Sequence, residues 1–152
     1  MNDKKFLAEN FAHRPLGMRL AMLARLWRTV VDHALIETGL TQSRWTVLMQ
    51  LQVAEGPLTV SELAFAMGIE LPPLTRTLNQ LAESGLIIRV EDADDRRIRL
   101  IKLSTLGEQQ VAQVNRVVEE CQRKVSEGFP PEQLEEFSQT LNLLTENMSK
   151  LI

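Results

Sequence analysis

Residues 71–81, LPPLTRTLNQL, followed a few positions later by residues 92–102, DADDRRIRLIK, decide the fold of this 152-residue chain. Two prolines open the first stretch. They are tolerated there because the N–H groups of a first helical turn have no intrahelical partner to lose, and Gly85 supplies the matching stop. Between these signals Leu74, Leu78 and Leu81 share one face. At about 100° per residue, Pro72, Arg76, Asn79, Gln80 and Glu83 fall on the opposite face, with Thr75 on the flank. The second stretch is a polar turn between two β-rich runs, Ile87-Ile88-Arg89-Val90 and Ile98 to Leu103, which together read as a hairpin.

Upstream, Thr59 and Glu62 form a capping box for a short helix running to Met67 and stopped by Gly68. Thr41 can cap a helix carrying Trp45, Leu48, Met49 and Leu51 up to the breaker Glu55-Gly56-Pro57. Leu16, Leu20, Leu23, Trp27, Val30, Val31 and Ala34 recur at steps of three and four, the mark of a long first helix over 16–36. Downstream, Thr105 with Glu108 reads as a second capping box for a helix with Val111, Val114, Val118, Cys121 and Val125 on one seam. After Gly128-Phe129-Pro130-Pro131 a last helix repeats the pattern at Leu134, Phe137, Leu141, Leu144, Met148 and Leu151. The order predicts a mainly α (α+β) fold, a winged helix-turn-helix over 40–104 flanked by helical dimerisation segments at 1–36 and 105–152, all in one structural domain. End helices with this little of their own protein to pack on imply a twofold homodimer.

Composition sets limits on function. No eighteen-residue run is free of charge, and the opening MNDKKFLAEN lacks the apolar core of a signal peptide, so a soluble, cytoplasmic protein with no membrane partner is expected. Cys121 is the sole cysteine and the two histidines lie at 13 and 33, a distribution that gives no disulfide, no metal-ligand spacing and no cofactor motif. The net charge of −3 weighs against tight nonspecific binding to nucleic acid. Charge is nevertheless segregated: Glu127, Glu132, Glu135, Glu136 and Glu146 face only Lys150 in the last segment, while Arg76, Arg89, Arg96, Arg97, Arg99 and Lys102 cluster between 76 and 102. Five acids in that basic segment leave one positive charge in excess, so placement must do what bulk charge does not.

Arginine reaches guanine, and asparagine and glutamine reach adenine, on major-groove edges, which makes Arg76, Asn79 and Gln80 candidate base readers with Thr75 beside them. Arg97, with Arg96, suits a narrow electronegative minor groove. Asp95 between these cations is expected to accept hydrogen bonds from a neighbouring arginine and fix the turn. Double-stranded DNA is the partner these features imply. An enzyme built on Asp32, His33 and Cys121 lacks any accompanying glycine loop, nucleophile elbow or ligand spacing. A winged helix that binds only protein has no use for two arginines at the tip. Cys121 as a redox sensor is the weaker reading, since a seam cysteine behaves as a small hydrophobe.

The residues Arg25-Leu26-Trp27-Arg28, Asp32-His33, Leu40-Thr41-Gln42, Trp45, Gly68-Ile69-Glu70, Arg76-Thr77-Leu78 and Asp95-Arg96-Arg97 occur in an order that resembles the MarR family of bacterial regulators, most closely its SlyA-like branch. The resemblance spans most of residues 16–104. It implies a homodimeric transcriptional regulator, activator or repressor, on AT-rich imperfect palindromes, which in this branch often activates by displacing a nucleoid silencing protein. Arg76 and Arg96-Arg97 match the family's essential DNA contacts. Arg25, Ser43 and Trp45 match positions that line a cleft for small aromatic carboxylates such as salicylate, with arginine on the carboxylate and tryptophan over the ring. Pro73 stands where the branch commonly has serine, and it removes a hydroxyl and an N–H from phosphate contact.

Overall fold

The computed structural model describes residues 10–152; most of MNDKKFLAEN and part of the expected 1–36 segment lie outside the described residues. In chain order the elements are α1 (Leu16–Ala34), a 3-10 turn (Ile36–Thr38), α2 (Gln42–Val53), α3 (Val60–Met67), α4 (Leu71–Glu83), β1 (Ile87–Glu91), β2 (Arg99–Leu103), α5 (Thr105–Val125) and α6 (Pro131–Ser149). This is the mostly helical winged helix-turn-helix that the sequence predicts. By its own contacts the chain divides into two compact units, residues 1–118 and 119–152.

In the first unit α2, α3 and α4 enclose a core of Trp45, Val47, Leu48, Leu51, Leu63, Leu74, Leu78 and Leu81, joined by Ile87 and Ile101 from the hairpin and by Val111 and Val114 of α5. The capping box of α3 forms as expected: the Thr59 hydroxyl accepts the Glu62 N–H at 3.1 Å and the Glu62 carboxylate accepts the Thr59 N–H at 2.8 Å. At the end of α4 the Leu86 N–H bonds the Leu81 carbonyl at 2.9 Å and the Gly85 N–H bonds that of Ala82 at 3.0 Å. That double bond pattern requires the left-handed φ of 74° that Gly85 adopts. It turns the chain sharply from α4 into β1.

The hairpin pairs β1 and β2 antiparallel, with Ile87 opposite Leu103 and Glu91 opposite Arg99. Leu58, in the loop before α3, adds a one-residue bridge to the outer edge of β2, giving and receiving backbone bonds with Ile101 at 3.0 and 2.7 Å. The hairpin is thereby tied to the helical core at its base.

Three local expectations are corrected. The cap of α5 is Ser104, whose Oγ accepts the Gly107 N–H at 3.0 Å and donates to the Gly85 carbonyl; β2 ends at Leu103, one residue before Ser104, and leaves Ser104 the N-cap position. Thr41 occupies the N-cap position of α2 without capping it, because its hydroxyl is engaged with that of Ser43 at 3.2 Å. The first helix ends at Ala34, since the chain tightens into the 3-10 turn before Gly39. On α1 only Val31 is buried, and Leu16, Leu23, Leu26 and Val30 are exposed.

The second unit comprises the end of α5, a turn through Gly128 at φ 87°, and α6. Cys121 is a free, buried thiol. No residue of α6 is buried, and Leu134, Phe137, Leu141 and Met148 form an exposed apolar stripe at steps of three, four and seven.

Candidate nucleic-acid interface

The packing of α4 separates its faces. Leu74, Thr77, Leu78 and Leu81 are buried, and the Thr77 hydroxyl is satisfied by the Pro73 carbonyl at 3.2 Å. Thr75, Arg76, Asn79 and Gln80 are all exposed, so the four helix residues expected at the interface share one accessible surface. Arg76 makes no hydrogen bond or ion pair among the described residues and presents all five guanidinium donors.

Two amides on that surface are already engaged. The Asn79 Oδ1 accepts from Arg89 Nη2 at 2.8 Å, and the Gln80 Oε1 accepts from Arg44 Nε at 3.3 Å. Arg89 projects from β1 and Arg44 from the first turn of α2, so the candidate surface is built from three elements. The sequence reading placed Arg89 only within the basic cluster and did not include Arg44 at all. No periodicity links Arg44 to a residue 36 positions away.

At the hairpin tip, Asp92 accepts from the Asp94 and Asp95 N–H groups at 2.7 and 3.3 Å, and the Ile98 N–H bonds the Asp95 carbonyl at 3.0 Å. Asp95 does what was expected of it. Its carboxylate receives the Arg97 backbone N–H at 3.0 Å, Nε at 3.1 Å and Nη2 at 3.0 Å. These bonds hold the Asp95 carboxyl below the ordinary carboxylate range and raise the Arg97 guanidinium in turn. The Arg97 side chain is 90% exposed, so the pair adds little stability; its consequence is geometric, a guanidinium held in one orientation at the tip. Arg96 is exposed beside it. At the base of the tip Arg99 Nη1 and Glu91 Oε1 form a cross-strand pair at 3.0 Å.

A cleft of about 640 Å³ is walled mainly by α2, with α3, α4 and Arg28 of α1 completing it. Ser43 and Trp45 line it together with Arg28, Met67, Pro73 and Thr77. Arg25, one turn earlier on α1 and exposed, is not among the lining residues; Arg28 is the α1 arginine that is. Trp45 is 7% exposed and its indole Nε1 is buried without a hydrogen-bond partner, an uncompensated donor of the kind native structures seldom leave. Among the described residues no group of histidine, cysteine and carboxylate side chains is arranged to hold a metal, and no helix is long and apolar enough to cross a membrane.

The fold recurs in known proteins. The MarR family profile matches residues 38–98, from the 3-10 turn before α2 to the hairpin tip. The solved structure of transcriptional regulator PA3341 superposes with a TM-score of 0.81 at 31% identity, covering 90% of this chain and 99% of that one. Wild-type MarR from E. coli, in its apo form, gives a TM-score of 0.77 at 23% identity, with 86% and 97% covered. CouR from Rhodococcus jostii RHA1, solved bound to p-coumaroyl-CoA, gives 0.72 at 24% identity, with 85% and 90% covered. With the family model matched over the helix-turn-helix and hairpin, and a 31%-identical regulator matched along nearly its whole length, the chain belongs to the MarR family, whose members are transcriptional regulators and not enzymes.

Proposed function

We propose that the chain acts as a homodimer on double-stranded DNA, with α4 in the major groove and the Arg97-tipped wing in the minor groove of AT-rich, pseudo-palindromic sites, in the manner of the SlyA-like branch. The observation that carries this reading is the joint exposure of Thr75, Arg76, Asn79 and Gln80 on α4 and of Arg96 and Arg97 on a wing tip whose shape Asp95 fixes. A helix supplies base contacts, and a rigid cation beside it supplies the groove-width readout. The domain reading follows: residues 40–104 meet DNA, while 1–36 and 105–152 assemble the dimer. The exposed stripe of α6 and the exposed leucines of α1 support that assembly, since each is an apolar face that its own chain does not cover.

Arg76→Ala and Arg97→Ala test the reading in a fluorescence-anisotropy titration of operator duplex. Each should cost about 1 to 3 kcal/mol per half-site while the thermal transition of the protein stays put. Half-sites should lie about 10 base pairs apart, near 34 Å, in a footprint. Operator binding at unchanged affinity in both variants would remove the assignment of these residues.

Small aromatic carboxylates such as salicylate are the effectors this reading assigns to the cleft, released DNA being the outcome. Trp45 offers a ring face and an unpartnered N–H, Ser43 a hydroxyl, and an α1 arginine the countercharge. Arg28 is better placed for that last role than Arg25, because it lines the cleft. Salicylate titrated to millimolar concentration into the protein–operator complex should dissociate it; an intact complex would refute the effector assignment.

A further inference from the structure

The two arginine–amide contacts on the recognition surface have a chemical direction. A guanidinium carries donors and no acceptor, so the amide atom that faces it must be oxygen. Arg89 Nη2 at 2.8 Å from Asn79 Oδ1 and Arg44 Nε at 3.3 Å from Gln80 Oε1 therefore fix which way each amide is turned. The NH2 groups point away from the arginines. All four side chains stand at the surface, and Arg44 is the most covered of them.

We propose that Arg44 and Arg89 are specificity-determining residues that orient Gln80 and Asn79, so that α4 reads bases through amide donors and selects guanine or thymine over adenine beneath those two positions. An untethered asparagine or glutamine recognises adenine with both ends of its amide, donating to N7 and accepting from the N6 amino group. With the oxygen held by arginine, that second half is weakened, so adenine keeps only its N7 contact while its amino group faces no free acceptor on the amide. Guanine presents N7 and O6, and thymine O4, all acceptors, so both fit the orientation that the arginines impose. The inference rests on the recognition-helix reading above and adds to it two residues from outside α4.

The test is selection by the purified full chain from duplexes randomised across the half-site, with wild type, Arg44→Met, Arg89→Met and the double variant Asn79→Ala/Gln80→Ala. Wild type should prefer guanine or thymine over adenine by about fivefold beneath each amide, the factor that one hydrogen bond contributes. Arg89→Met should bring that ratio to about one or invert it beneath Asn79 alone, and Arg44→Met should do so beneath Gln80 alone. A guanidinium that only met phosphate would instead weaken every sequence alike and lower the salt slope, leaving the preferences where they were; that outcome overturns the proposal. So does a wild-type preference for adenine at both positions. If Asn79→Ala/Gln80→Ala keeps the wild-type preferences in full, α4 does not read bases through these amides, and the underlying reading fails together with the proposal.

Discussion

Replacing Gly107 with alanine would place a methyl carbon 2.0 Å from the Leu86 carbonyl oxygen, 3.0 Å from its carbon and 3.4 Å from Leu103 Cδ2. Non-bonded carbon and oxygen need more than 3 Å, so either the first turn of α5 or the start of β1 must move by about 1 Å. Neither is free to do so. The Leu86 oxygen accepts the Ser104 N–H at 3.0 Å, and Ser104 is the residue that caps α5 through the Gly107 N–H itself. Overpacking of this kind costs about 1 to 3 kcal/mol, and loss of the Ser104–Leu86 bond adds about 1 kcal/mol. A total of about 2 to 4 kcal/mol corresponds to a fall of roughly 5 to 12 °C in the thermal midpoint of a chain this size. Scanning calorimetry of Gly107→Ala beside Gly17→Ala, whose added methyl meets nothing within 4 Å, isolates the steric effect from helix propensity. A Gly107→Ala midpoint within about 1 °C of wild type would refute the reasoning, because it would mean that the joint between wing and helix yields without cost.

Four further outcomes follow from the same structure. Thr59→Ala removes one half of the α3 capping box and should destabilise the protein by about 0.5 to 2 kcal/mol in urea unfolding, with the denaturant slope unchanged. Because the Asp95 carboxyl is lowered from 3.8 by its bonds to Arg97, the wing contact is complete above that value and is lost only as pH falls through the still lower folded one; the Arg97 Nε–H resonance should hold its shift from pH 8 to pH 5, and movement within that window would contradict the assignment. Leu141→Asp puts a charge in the apolar stripe of α6 and should shift the molecule from dimer to monomer in sedimentation velocity at micromolar concentration, whereas an unchanged dimer would place the interface elsewhere. Trp45→Phe keeps a ring in the cleft but deletes the unpartnered N–H, so the salicylate concentration that half-dissociates the operator complex should rise about fivefold or more; an identical titration curve would separate the indole N–H from the effector.

Most of the fold was legible in the sequence because its signals are local. Thr59 and Glu62 lie three residues apart and close the same helical turn, and the Pro72-Pro73 start and Gly85 stop of α4 depend only on backbone geometry at each point. The faces of α4 were readable for the same reason: Leu74, Leu78 and Leu81 recur at helical spacing, so the polar side chains between them had one surface left to occupy. Asp95 and Arg97, two residues apart, also fall within this range. The errors at the caps have a different origin. Ser104 and Thr105 are both good capping residues, and the choice between them was made by where β2 ends, which is set by pairing with β1 and with Leu58.

What periodicity cannot supply is partners across the fold. Gly107 looks like an ordinary weak point in a helix until Leu86, twenty-one residues earlier, is laid against it, and then its lack of a side chain becomes a requirement. Arg44 looks like a solvated charge beside a core tryptophan until α2 and α4 pack and bring Gln80 to it. The same packing divides the first turns of α2 between two faces, since Ser43 and Trp45 line the cleft while Arg44, between them in sequence, reaches the opposite way to Gln80 on α4. A helix turns about 100° per residue, so neighbours in sequence necessarily serve different faces. Which way the Asn79 and Gln80 amides are turned is therefore set by long-range contacts from Arg89 and Arg44, and not by the identity of the α4 side chains alone.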